Sequence, residues 1–244
     1  MRRAIVALLL IPAVGIAIDH SKLDYGRPLQ IDDADPLAFG EMAIEFGASI
    51  SVNRSRKPDY RFEAAFLYGF APAMHLELSA EPSLTNSKSE FGVGLFIGIT
   101  RETEKLPATA IKLGYHNSDG ENELSARAIL TGQIGAIGKW HLNGEAIFAL
   151  NAPTDQRKTR FAGAIGYSTP IGLPNDFSQT FIVAFNIAQN THVGESAMGS
   201  LGIGLRKQIG VREVIALGIE SDLFGVVGLS RPSLRLTLGL TSSF

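Results

Sequence analysis

Along most of its length the chain alternates between apolar and polar positions with a period of two, the pattern of extended strands whose two faces meet different surroundings. From Gly40 to Ile50, Met42, Ile44, Phe46, Ala48 and Ile50 share one face, while Glu41, Ala43, Glu45, Gly47 and Ser49 share the other. The next run sets Tyr60, Phe62, Ala64, Phe66 and Tyr68 against Asp59, Arg61, Glu63 and Ala65. Gly69 to Pro72 then turns the chain into a third run, where Met74, Leu76 and Leu78 oppose His75, Glu77 and Ser79. The last twelve residues place Leu234, Leu236, Leu238 and Leu240 opposite Arg235, Thr237, Gly239 and Thr241, and the chain stops on Phe244. The same parity predicts strands near 91–99, 109–116, 123–131, 139–150, 160–168, 180–188, 198–206 and 213–220. That makes about twelve, an even number, as single-chain bacterial barrels have.

An apolar face alone would also suit a soluble β-sandwich, so the placement of charge decides the architecture. Glu41, Glu45, Arg61, Glu63, Glu77, Lys112, Glu123, Arg127, Glu145, Arg160, Arg206, Glu220 and Arg235 all fall opposite the aliphatic face, as do His75, His116 and His141. Placed at random, about half of the ionised groups would meet hydrocarbon, at up to ~2–4 kcal/mol each near the midplane. The expectation is an all-β, closed, antiparallel up-and-down transmembrane barrel over 40–244. The charged and histidine positions would line its lumen, and Met42, Ile44, Phe46, Phe62, Phe66, Leu76, Leu95, Ile97, Phe148, Phe185, Leu236 and Leu238 would face lipid. Hydrocarbon cannot satisfy the backbone groups of an open sheet edge, so the first strand must pair with the last. Tyr60, Tyr68, Tyr115, Trp140 and Tyr167 stand near the ends of their stripes, where amphipathic rings suit the headgroup boundary.

An even count puts both ends on the periplasmic side. Loops around Asn53, Asn86, Ser118, Thr154, Thr191 and Phe224 then face outward, and connections near Phe70, Glu104, Ile134, Ile171 and Gln208 are periplasmic, with less difference in length than such barrels usually show.

Before the first strand, Arg2 and Arg3, a short apolar run from Ala4 to Ile11 and a small-residue exit ending at Ala17 read as a cleaved secretory signal over 1–17. The stretch 18–39 is polar and reads as a periplasmic lead-in. Within it, Asp32, Asp33 and Asp35 read as a solvated acidic run, with oxygen ligation of a hard cation as the alternative. Without Arg2 and Arg3, 20 basic residues face 24 acidic ones, a formal charge of −4, and no clustered positive charge of the kind nucleic acid requires remains. The chain has no cysteine, which excludes a disulfide scaffold, a thiolate metal site and a cysteine nucleophile.

Catalysis finds little support. The histidines on strands point to the lumen by parity, so a lipid-facing hydrolase has no base there, although a lumenal pairing of His116 or His141 with Glu77 or Glu145 stays open. Gly92-Val93-Gly94 and Gly202-Ile203-Gly204 lack the helix and Lys-Ser/Thr of a phosphate loop and instead leave room inside a barrel. No cofactor or metal is implied. The mixed lumen charges fit either a water-filled bore or an interior closed by ion pairs.

Leu67-Tyr68-Gly69-Phe70-Ala71-Pro72-Ala73-Met74-His75-Leu76-Glu77-Leu78 resembles the tyrosine-glycine hairpin of the family named for the MetA pathway of phenol degradation, outer-membrane transporters. Arg27-Pro28 before Asp32-Asp33, His141-Leu142-Asn143, and Gly228-Leu229-Ser230-Arg231-Pro232 with Leu236-Thr237-Leu238-Gly239-Leu240 are similar to further segments of it. The terminal Phe244 resembles the aromatic end read by the barrel-assembly machinery. The resemblance implies passive passage of small solutes, aromatic compounds among them, across the outer membrane of a Gram-negative bacterium, and it supplies no catalytic residue. The partners it implies are outer-membrane lipid, the assembly machinery and a small solute. A barrel enzyme acting on lipid or lipopolysaccharide and a soluble periplasmic β-sandwich are the alternatives.

Overall fold

A computed structural model describes residues 28–52, 58–82, 89–104, 106–118, 120–173, 176–225 and 233–244. The expected signal and the loops around Asn53 and Asn86 lie outside these residues. Twelve strands follow one another: β1 Met42–Val52, β2 Asp59–Ala71, β3 Met74–Glu81, β4 Glu90–Thr100, β5 Ala108–Ser118, β6 Glu121–Ile134, β7 Gly138–Ala149, β8 Thr159–Leu173, β9 Asp176–Ala188, β10 Met198–Gln208, β11 Glu213–Phe224 and β12 Leu234–Ser243. Each pairs antiparallel with the next, and β12 returns to β1, so the sheet closes into a barrel.

The closing seam runs from Ala43↔Ser243 to Val52↔Leu234. At its end Met42 and Phe244 exchange both backbone hydrogen bonds, at 3.1 and 2.9 Å. The terminal aromatic residue therefore completes the ladder and leaves no open edge at that rim.

Side-chain direction follows the strand period. Phe46, Phe62, Phe66, Leu76, Phe148, Leu236 and Leu238 are exposed on the outer wall. Met42, Ile44, Leu95, Ile97 and Phe185 lie half-buried on the same wall between such neighbours. Large exposed apolar surface on every strand is stable only against lipid, and a closed ring with its apolar faces outward rules out the sandwich. The Trp140 ring lies over Gly132 and the Tyr167 ring over Gly138, so close that a Cβ would sit 2.6 Å from the Trp140 ring at the first glycine and 2.8 Å from the Tyr167 ring at the second. Aromatic cover of this kind restores side-chain packing where glycine interrupts a sheet. Trp140, Tyr167 and Tyr68 stand toward the rim that carries the start of β1 and the end of β12. Tyr60 and Tyr115 stand toward the other, where the Tyr115 hydroxyl donates to Asn122 Oδ1 at 2.7 Å.

The loops are less even than the sequence suggests. Two residues join β2 to β3 and two join β8 to β9, whereas nine join β7 to β8 and nine join β9 to β10. Strands β2, β8 and β9 continue past their alternating apolar stripes toward the rim of Met42 and Phe244 and absorb residues that the sequence pattern leaves in turns. These four connections follow the short-turn, long-loop asymmetry of such barrels, whereas the seven residues between β4 and β5 and the two between β5 and β6 run the other way. In the β2–β3 turn Ala73 has a φ of 60°, a conformation usually left to Gly or Asn.

Candidate functional site: a lumen crossed by the N-terminal strap

The main departure from the sequence expectation lies before β1. Residues 28–38 do not form a lead-in outside the barrel; they run inside it as an extended strap, descending from mid-depth at Pro28 to Ala38 at the rim that carries Met42 and Phe244. Pro28, Leu29 and residues 31–34 are buried, and Gln30 alone among 28–34 is exposed.

The wall is cut to receive it. A Cβ at Gly204 would lie 2.5 Å from Pro28, one at Gly218 2.5 Å from the Pro28 carbonyl, and one at Gly202 2.6 Å from Leu29. Gly166 makes the same room for Ile31, and Gly69 for the Ala38 carbonyl. The lumenal glycines therefore accommodate one particular segment of this chain, beyond widening the bore.

Apolar side chains on the inner wall complete the seat. Leu29 and Ile31 pack with Ala164, Ile182 and Ala184. Ala34 packs with Phe96, Ala108, Ala110 and Ile129, and Leu37 packs on Ala43, Ala65 and Leu67. Parity alone assigned this face to polar groups and gave no role to Leu67, Phe96, Ile129 or Ile182. The available signal was that these apolar exceptions sit toward one end of their strands, opposite a lead-in whose own apolar residues are Leu29, Ile31, Ala34 and Leu37.

Polar latches fix the strap along its length. The Asp32 amide donates to Asn143 Oδ1 at 2.7 Å, and Asn143 Nδ2 donates back to the Asp32 carbonyl at 3.1 Å. The Asp32 carboxylate accepts a short hydrogen bond from Arg127, whose other arm donates to Glu145 at 2.8 Å. Asp33 Oδ2 and Asp35 Oδ2 lie 3.9 and 3.7 Å from Lys139 Nζ. Burial raises the Asp33 pKa to about 6, with Lys139 opposing the shift. The Ala34 amide donates to Thr131 Oγ1 at 3.1 Å, and the Leu37 amide to His75 Nδ1 at 3.3 Å. The acidic trio is thus neither a solvated run nor a cation site: among the described residues no group of His, Cys, Asp and Glu is arranged to hold a metal ion.

The remaining positions assigned to the lumen are placed as follows. Glu45, His75, Glu77, His141, Arg206 and Glu220 are buried on the inner wall. Glu77 pairs with Lys112 at 2.7 Å, Glu123 pairs with Arg160, and His116 Nδ1 stands 3.2 Å from Glu90. His75 stacks on Phe96 with centroids 4.5 Å apart. Glu41 caps the strap, its Oε2 accepting from the Ala38 amide at 3.0 Å. Glu63 and Arg235 line the outer half of the lumen. Arg61 instead stays half-exposed near the outer rim, bound to Asp59 at 3.1 Å.

His141 has no exposed surface. Its Nε2 lies 2.8 Å from Ser168 Oγ and its Nδ1 3.2 Å from Thr131 Oγ1. This resembles the core of a catalytic dyad, but it is sealed between β6, β7, β8 and the strap, where no substrate reaches it. It braces Thr131, whose hydroxyl oxygen accepts from the Ala34 amide of the strap.

Above the strap, in the outer half, lie cavities of about 280, 130 and 80 Å³. The largest is lined by Asp32, Glu63, Glu81, Glu145 and Glu220 and by Lys112, Arg127 and Arg235, with His116. Gln30 projects into all three.

A closed antiparallel barrel, apolar outside and ionised inside, defines the class as a transmembrane β-barrel of the outer-membrane type. Its solved relatives in fold are bacterial porins and channels. The NanC porin superposes with a TM-score of 0.65 at 8% identity, covering 82% of this chain and 98% of that one. The KdgM porin superposes at 0.61 and 11% identity, covering 83% and 99%. The COG4313 outer membrane channel from Pseudomonas putida F1 superposes at 0.60 and 11% identity, covering 87% and 98%. At such identities the likeness is one of fold. No protein-family profile and no curated protein matches the chain.

Proposed function

We propose that this barrel sits in the outer membrane of a Gram-negative bacterium and passes small polar solutes passively through its lumen. The observation that carries the reading is the division of the interior. The outer half keeps cavities lined by ionised groups that the solute would share with water, and passage through the other half, packed by the strap against apolar wall residues, takes place when the strap leaves its seat. The KdgM porin has been solved in complex with oligogalacturonate, a polar solute, and this is in keeping with the reading. Membership of the phenol-degradation family belongs to the same proposal and rests on the tyrosine-glycine hairpin and the closing motifs. Its aromatic substrates draw no support from the outer cavities, whose lining contains no Phe, Tyr or Trp among the described residues. The cleaved signal and recognition of Phe244 by the assembly machinery complete the proposal.

The test is reconstitution. Refolded protein in vesicles should accelerate swelling in small neutral polyols, with a cut-off near the size of a triose to a hexose, and should give discrete conductance steps in a planar bilayer. Pure, folded barrel that yields neither would overturn the channel reading.

A further inference from the structure

We propose that Arg235 and Gln30 form a solute-recognition subsite for small monocarboxylates in the outer half of the lumen. The inference rests on the channel reading for access and goes beyond it by naming the solute class.

The first observation is that the lumenal bases are unequally engaged. Arg127 gives one arm to Asp32 and the other to Glu145. Lys112 is held by Glu77 at 2.7 Å, and Arg160 bonds both Glu123 and Thr191. Arg235 differs. Its nearest carboxylate oxygen is Glu220 Oε2 at 3.6 Å, beyond hydrogen-bond reach, and its side chain is 37% exposed. Glu220 is already committed to the wall, its Oε1 accepting from Asn186 at 3.2 Å and from Ser200. The Arg235 fork is thus oriented by a neighbouring charge while its N–H donors remain unused by the described residues.

The second observation is what stands beside it. Arg235 and Gln30 line the same two cavities, of about 280 and 130 Å³. Gln30 is the one exposed side chain on a strap otherwise buried from 28 to 34, so the strap fixes the carboxamide at mid-lumen. A planar guanidinium with free donors binds a carboxylate through two parallel hydrogen bonds. A carboxamide both donates and accepts, and so suits a hydroxyl on the adjacent carbon. At about 30 Å³ per water the larger cavity has room for roughly nine waters, enough for a solute of a few carbons.

The third observation sets the charge. Five carboxylates and three permanent cations line the larger cavity, and Arg235 is the cation with donors to spare. The lining carries more carboxylates than cations, so an anion is held only at the Arg235 fork, and a second negative charge would meet Glu63, Glu81 or Glu145. The subsite should take lactate-like hydroxy acids and discriminate against polyanions such as citrate.

Binding of lactate to the refolded full-length barrel in detergent, followed by ligand-observed NMR and calorimetry, tests this without requiring conduction. Saturable lactate binding is expected, displaced by acetate and left alone by propane-1,2-diol and citrate. Arg235→Gln should weaken it by about tenfold or more, Arg235→Lys should restore only part, and Gln30→Ala should weaken it a few-fold without touching the wall. Heat-modifiable migration on gels confirms that each variant is folded. Absence of saturable lactate binding in the parent protein, undiminished binding in both Arg235→Gln and Gln30→Ala, or citrate binding as tightly as lactate would each overturn the subsite. Vesicle swelling in propane-1,2-diol reports the channel reading separately: a barrel that binds lactate and does not swell vesicles keeps the subsite and loses the channel.

Discussion

Replacing Asp32 with Ala should loosen the strap by an amount that the geometry sets. Asp32 is 4% exposed, and its carboxylate holds one arm of Arg127, while its backbone bonds to Asn143 are independent of the side chain. Arg127 keeps Glu145 in the variant, so no orphaned buried charge adds to the loss, and the cost is at least that of one charge-assisted hydrogen bond, about 2 kcal/mol. At 1.4 kcal/mol per factor of ten, the undocked population should rise roughly 30-fold. The chain contains no cysteine, so a single Ala34→Cys reports docking cleanly. Ala34 is 1% exposed, and a thiol there reacts only when the strap leaves its seat, at a rate proportional to the open fraction. Labelling should be slow in Ala34→Cys alone and about 10- to 50-fold faster once Asp32→Ala is added. Rates that agree within about two-fold, or a thiol that is already fully reactive in the single variant, would refute the claim that Asp32 latches a docked strap.

The same reporter gives a pH dependence. Asp33 carries a pKa raised from 3.8 to about 6, so docking is most favourable below the unbound value and weakens as pH rises through 6, by up to about 3 kcal/mol. Labelling corrected for thiol ionisation should quicken between pH 4 and 7 and become flat in Asp33→Asn. Gly166→Val puts a side chain where Ile31 lies, and overpacking of this kind costs about 1–3 kcal/mol, so it should free the Ala34→Cys thiol while leaving barrel folding intact on gels. On the lipid face, Leu236→Arg should cost about 2–4 kcal/mol of folding free energy in vesicles, whereas the adjacent lumenal Thr237→Arg should cost much less, as urea titrations in lipid would show. Ala73→Gly relieves a positive φ and should stabilise the barrel by about 0.5–1 kcal/mol in the same titration.

The barrel was legible in the sequence because membrane strands obey one rule at nearly every position. An ionised group turned outward is so costly that parity survives along Met42–Val52, Met74–Glu81 and Leu234–Ser243 without help from tertiary context. Strand ends blurred where lipid no longer enforces the rule, as at Ile134 and Leu173, which run on past the apolar stripe. The strap was illegible for the opposite reason. Its residues obey no period, since Leu29, Ile31, Ala34 and Leu37 are spaced to meet a curved wall, and its aspartates look solvated until Arg127 and Lys139 are brought to them by strands about a hundred residues away. The glycines at 202 and 204 were recognised as interior and those at 166 and 218 were not, and which segment they admit depends on register between strands and the strap, a relation that no local pattern carries.

Accessibility scanning tests the central claim most directly. Spin labels placed singly from position 234 to 241 in refolded protein in lipid vesicles should alternate, with 234, 236, 238 and 240 open to dissolved oxygen and 235, 237, 239 and 241 open to a polar nickel complex or sealed by protein. Oxygen and nickel accessibilities that rise and fall together along this strand, or a phase opposite to the one stated, would contradict an apolar wall facing lipid around an ionised interior.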